Sequence, residues 1–127
     1  GAELSGNCRL LKSWRLRGGY TFFFKELENK PDHIFDFYSL GNDPKHLFLL
    51  QSMADLPGNF QFNFTARYSD KRPKPYAPDF FTFDVNLSWR YESFEISLTG
   101  QNLWENKHLE FGPQIPRSVY GKLTCRF

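Results

Sequence analysis

The chain is 127 residues long and carries a formal net charge of +2, with 16 Lys and Arg set against 14 Asp and Glu. Charge this balanced and scattered excludes an extended nucleic-acid surface, and no apolar run is long enough for a membrane-crossing helix, so any membrane role falls to strands. Aromatic residues make up 19% of the chain, 15 of them Phe, yet mean hydropathy is negative; rings and polar residues must therefore alternate finely, as in strands with one greasy and one wet face.

Taken from the N-terminus, residues 1–4 show neither the basic start nor the apolar core of a signal peptide. A weakly alternating strand is expected over 2–10, a tight turn at Leu11-Lys12-Ser13, and a strand over 14–22 that runs into Phe22-Phe23-Phe24. After a long link, 26–46, residues 47–56 are apolar on both faces and leave their register open. Pro57-Gly58-Asn59 is the next turn, followed by the cleanest alternation, 60–68, with Phe60, Phe62 and Phe64 set against Gln61, Asn63 and Thr65. A second long link, 69–79, leads to a strand over 81–90. The turn Tyr91-Glu92-Ser93 then joins it to a strand over 94–101. The third long link, 104–117, precedes 118–127, where Val119, Gly121, Leu123, Cys125 and Phe127 share one face and Ser118, Lys122, Thr124 and Arg126 the other.

These strands are long for a soluble sheet, where about 5–6 residues is usual, and suit a tilted bilayer crossing of about 9–11. Short and long connections alternate, as in an outer-membrane barrel with periplasmic turns and extracellular loops. Rings gather at strand ends (Trp14, Phe22, Phe24, Tyr68, Phe81, Trp89, Phe94, Phe127), where amphipathic aromatics settle at a lipid boundary. The opposite face carries Arg15, Arg17, Arg67, Asp84, Asn86, Arg90, Glu95 and Gln101. A midplane Arg or Lys facing lipid costs about 2–4 kcal/mol, whereas one facing a hydrated lumen costs little. The expected fold is all-β: an antiparallel up-and-down meander of about 7–8 long strands, part of a transmembrane β-barrel.

Leu98-Thr99-Gly100-Gln101-Asn102-Leu103 resembles the penultimate-strand motif of TonB-dependent outer-membrane receptors. Glu110-Phe111-Gly112-Pro113, Ile115 through Thr124 and Arg126-Phe127 resemble their terminal loop and strand, while Asp55-Leu56-Pro57-Gly58-Asn59 and Tyr68-Ser69-Asp70 are similar to upstream signatures. The resemblance covers nearly the whole chain and is most specific from Asp55 onward. It implies a bacterial outer-membrane location and a parent protein that takes up siderophore-like or other small ligands. It also implies contact with membrane lipid, and with TonB only through parts of the parent that have no counterpart here. Such receptors form barrels of about 22 strands, so residues 1–127 read as a single C-terminal barrel segment without the plug domain. The alternating end, Gly121, Leu123, Cys125 and Phe127, resembles the signal read by outer-membrane assembly machinery, since an alternating edge strand can be captured by strand addition. Two open edges also invite edge-to-edge self-association.

Arg72, Lys74 and Tyr76 form a basic, proline-stiffened loop that could face an anionic ligand or lipopolysaccharide phosphate, or simply be a charged surface loop. Arg67 and Arg90 are expected to pair with Asp84 and Glu95 on the lumen-facing side, together with Gln101. His33, His46 and His108, near Asp32, Asp36, Asp43 and Glu110, match no metal-ligand spacing, and Cys8 and Cys125 read as unpaired small apolar residues, with a disulfide as the alternative. The sequons at Asn63 and Asn86 lie mid-strand. No catalytic constellation, cofactor motif, metal site or nucleic-acid surface is expected, and the ligand is not named by any residue. The rivals are a small stand-alone barrel using an eighth strand from 33–40, and a soluble lipocalin-like barrel with an apolar interior.

Overall fold

The computed structural model describes residues 1–25, 43–73, 76–105, 107–110 and 113–127. Within them the chain is all-β, with no helix. The long strands are β1 (Ala2–Leu11), β2 (Trp14–Phe22), β3 (His46–Leu56), β4 (Phe60–Ser69), β7 (Phe80–Tyr91), β8 (Phe94–Gln101) and β11 (Ser118–Cys125). Shorter ones are β5 (Arg72–Pro73), β6 (Tyr76–Ala77), β9 (Lys107–Leu109) and β10 (Gln114–Pro116). The seven long strands form one sheet in the order β1-β2-β3-β4-β7-β8-β11, antiparallel throughout. The expected meander is therefore present. Its outermost strands, β1 and β11, do not pair with each other among the described residues, leaving two edges.

Two expectations change. The long links at 69–79 and 104–117 are not bare loops: β5 pairs with β6, and β9 with β10, as two small ribbons. Pro73 and Pro116 disguise them, because proline reads as a strand breaker yet is admissible at an edge. The last strand stops at Cys125, so Phe127 lies beyond it, although the Arg126 amide still donates to the Ser93 carbonyl at 2.9 Å. The alternative strand over 33–40, with His33, lies outside the described residues, as do Lys74, Phe111 and Gly112.

The turns follow from local backbone chemistry. Gly58 and Asn59 both take positive φ (78° and 64°), the region that glycine and asparagine tolerate best, and so reverse the chain between β3 and β4. Glu92 takes φ 48° between β7 and β8.

Register settles the faces, because directly opposite residues in an antiparallel pair point the same way. One row runs Cys8, Leu16, Ser52, Phe64, Val85, Gly100, Val119; the next runs Trp14, Ala54, Phe62, Leu87, Leu98, Gly121. The other face reads Asn7, Arg17, Gln51, Thr65, Asp84 in one row and Arg15, Met53, Asn63, Asn86, Thr99, Tyr120 in another. The ambiguous strand is thereby resolved: Phe48, Leu50, Ala54 and Leu56 take the apolar face, and Leu47, Leu49, Gln51 and Met53 the polar one.

Burial is inverted relative to a soluble domain. The only buried hydrophobic residues among those described are Ala66 and Ala77, whereas Ser69, Thr82, Ser88, Asn102 and His108 are buried. On the apolar face Ile96, Leu98, Val119 and Leu123 are each more than half exposed. Full burial of one such side chain is worth about 1.5–3 kcal/mol, so an uncovered face of this size forgoes most of what normally stabilises a sheet in water.

Candidate functional site

The polar face holds the ordered chemistry. In mid-sheet, Asn63 Nδ2 donates to Asn86 Oδ1 (3.3 Å) and Asn86 Nδ2 to Thr99 Oγ1 (2.8 Å), tying β4, β7 and β8 together. Both sequon asparagines are thus strand residues engaged in a ladder. Toward the short turns, Glu95 accepts from Arg90 (2.9 Å) and Arg126 (3.3 Å).

At the opposite end, where the long links lie, Arg67 on β4 is the hub. Its guanidinium donates to Asn102 Oδ1 (3.1 Å), and lies 3.7 Å from Asp84 and 3.5 Å from Glu110. Asn102 terminates β8 at φ 55°, so its amide turns back to donate to Asp84 Oδ1 (2.8 Å), while its own Nδ2 donates to the Pro116 carbonyl (3.5 Å). The chain then folds Leu103 over Gly100: its amide donates to the Phe83 carbonyl at 3.0 Å, and a Cβ at Gly100 would lie only 2.9 Å from Leu103 Cδ1. The Gly100-Gln101-Asn102-Leu103 run therefore has a mechanical reading in this chain, as a clasp that ends β8 and fastens the β9–β10 ribbon. His108 on β9 completes the fastening. It is buried, stacks on Phe80 with ring centroids 4.7 Å apart, and its Nε2 lies 2.8 Å from Glu110.

Beneath this cluster opens a cleft of about 630 Å³ lined by Glu3, Arg17, Arg67, Arg72, Glu110 and, among its apolar walls, Leu47, Leu49, Phe80 and Ile115. Its walls come from β1 across to β7, so the polar face is the hollow one. The volume is that of a small-ligand site, and the lining combines apolar surface with a few converging charged groups.

Of the residues expected to carry function, Arg67, Asp84, Arg90 and Glu95 form the two anticipated pairs, and Gln101 ends β8 on the same face. Arg72 lines the cleft; Tyr76 is exposed on β6 and away from it. Gly121, Leu123 and Cys125 share the apolar face of β11. Cys8 and Cys125 are free and sit on the two outermost strands. His46 begins β3, with Nδ1 2.8 Å from the Tyr20 hydroxyl. Among the described residues, no group of three His, Cys, Asp or Glu comes together as a metal site would require.

Sequence reasoning missed Leu47, Leu49, Phe80 and Ile115 as cleft residues. The available signal was the two-sided apolar character of 47–56, which places apolar side chains on an otherwise polar face where a cleft needs them. The chain matches no protein-family model, and no curated protein matches it with significance.

Proposed function

We propose that this chain is a wall segment of a bacterial outer-membrane β-barrel receptor, of the TonB-dependent type its motifs resemble. It contributes lipid-facing surface, hydrated lumen and part of an extracellular ligand vestibule. The observation that carries this reading is the inverted burial: apolar rows lie uncovered on one face, and the buried groups on the other are nearly all polar. In water that arrangement is unfavourable; in a bilayer it is the stable one.

Two belts of rings support it. Trp14, Phe60, Trp89, Tyr91 and Phe94 mark the short-turn end, and Tyr20, Phe22, Phe48, Tyr68 and Phe81 the long-link end, all on the apolar face by register. Their polar tips have partners: Trp14 Nε1 donates to Ser52 Oγ (2.9 Å) and Trp89 Nε1 to the Gly58 carbonyl (3.1 Å). On this reading the long-link end faces outward from the cell. Its cleft then receives a small ligand with both apolar and anionic parts, Arg17, Arg67 and Arg72 meeting the anion and Leu47, Leu49 and Phe80 the rest. Assembly into the membrane uses the β11 end, which the outer-membrane machinery would take up by strand addition.

The test is detergent dependence. The chain is expected to hold its β-structure in micelles and to lose it or associate through its edges in plain buffer. A compact, soluble monomer without detergent would instead support a lipocalin-like module with the Phe60, Phe62 and Phe64 stripe turned inward. A closed, monomeric barrel in micelles would support a small stand-alone outer-membrane protein.

A further inference from the structure

Three arginines converge on the polar face of β1 and β2 without an acid partner. Arg9 stands directly opposite Arg15, and Arg17, two residues along β2, stands opposite Asn7. Opposite Cβ atoms in such a pair are about 4.5–5.5 Å apart, and same-face neighbours on one strand about 6.8 Å, so all three guanidiniums reach one volume. On the β3 side they meet Met53, opposite Arg15, and Gln51, opposite Arg17, both uncharged. By register the nearest acids on this face are Asp55, which accepts from Gln61 at 3.0 Å, and Glu3, opposite Thr21. Among the described residues no ion pair involves Arg9, Arg15 or Arg17, whereas Asp84, Glu95 and Glu110 each have an arginine.

The three side chains are exposed, and with Ser5, Asn7 and Met53 they line a cleft of about 430 Å³ that adjoins the one under the Arg67 cluster, Ser5 and Arg17 standing in both linings. Like charges directly opposite each other weaken a strand pair. The free chain therefore carries a repulsion that a bound anion relieves.

We propose that Arg9, Arg15 and Arg17 form a binding site for a compact oxyanion bearing two or more charges, such as a phosphate ester, pyrophosphate or a polycarboxylate. Each guanidinium offers a planar fork that matches two oxygens of such a group, and Asn7 and Ser5 supply further hydrogen bonds. The side chains project away from the apolar face, so the anion arrives from the hydrated side rather than as a lipid head group. The site requires only that the polar face be wet, and it stands whether or not the apolar face meets lipid.

The experiment is a calorimetric titration of the chain with pyrophosphate in zwitterionic micelles, with thermal unfolding followed in parallel. Expected are saturable binding that weakens as salt rises, and a higher Tm with pyrophosphate present. Combining Arg15→Gln with Arg17→Gln should weaken binding roughly tenfold or more, and raise the Tm of the ligand-free chain by removing the repulsion. If that variant does not fold, Arg15→Lys, which keeps the charge and removes the fork, should still bind several-fold more weakly. Lys122→Gln, on the same face of β11 and outside the cluster, should bind as the parent does. Unsaturable binding, or equal affinity in the arginine variants, overturns the site. So does an equal loss in Lys122→Gln, because the effect is then bulk charge. In phosphatidylcholine vesicles doped with phosphatidylglycerol, pyrophosphate binding should persist; its abolition by the anionic lipid would reassign the arginines to lipid head groups and overturn the proposal.

Discussion

Asn102 sits at the end of β8 with φ 55°, a conformation asparagine accepts more readily than most residues because its short amide bonds locally. In this chain the amide side chain also accepts from Arg67 and donates to Pro116, so one residue ends a strand, orients the hub arginine and anchors a ribbon. Asn102→Ala should lower stability by about 1–3 kcal/mol, because partly buried partners lose their bonds; denaturant unfolding in micelles measures it, and an unchanged midpoint would mean the clasp is idle. Thr82 is the converse case. It is fully buried, and its Oγ1 has no hydrogen-bond partner. Thr82→Val keeps the shape and removes the stranded hydroxyl, so stability should rise by up to about 1 kcal/mol in the same assay. A loss instead would mean that the hydroxyl is satisfied in solution.

At the level of the strand, the two faces make opposite demands on the same substitution. Leu98 is 57% exposed in the isolated chain. If that face met water, Leu98→Arg would be nearly neutral, within about 0.5 kcal/mol, as surface changes usually are. Facing lipid, it should cost about 2–4 kcal/mol. Thr65→Arg, mid-strand on β4 and opposite Asp84, should be tolerated in either setting because it adds a cation beside a carboxylate on a hydrated face. Folding yields into lipid vesicles compare the two directly, and equal yields would contradict a lipid-facing stripe. The faces of the strands other than 2–10 and 47–56 were legible at this scale, since alternation with period two assigns a face to each side chain. Residues 47–56 were illegible because Leu47 and Leu49 serve the cleft, which makes the strand apolar on both sides.

For the whole molecule, the open sheet is the dominant fact. Its outer strands each carry one free cysteine on the apolar face, Cys8 beside Leu16 and Cys125 beside Phe94. Reconstituted in lipid vesicles, both thiols should react with a charged, water-soluble maleimide at least about tenfold more slowly than in the urea-unfolded chain, because the charged reagent reaches them only through water. Equal rates would place those faces in water. The same two edges expose unpaired backbone groups, so association through β1 and β11 is the expected failure of the chain when it is isolated.

By itself, the sequence determined the all-β class, the seven long strands and the faces of those that alternate cleanly. It also pointed to the Arg67–Asp84 and Arg90–Glu95 pairs, since alternation puts each arginine and acid on the same face of neighbouring strands, the second pair directly opposite across a tight turn. It could not determine what the long links build. The β9–β10 ribbon, the stacking of His108 on Phe80, the bond that Arg67 donates to Asn102 and the shared volume of Arg9, Arg15 and Arg17 all depend on which residues face each other across strands. Those distances are set by register and by the curl of the sheet, which no single stretch of the chain contains. Only the tertiary structure decided them, and it decided the clefts with them, because a hollow exists only once several strands have closed around it.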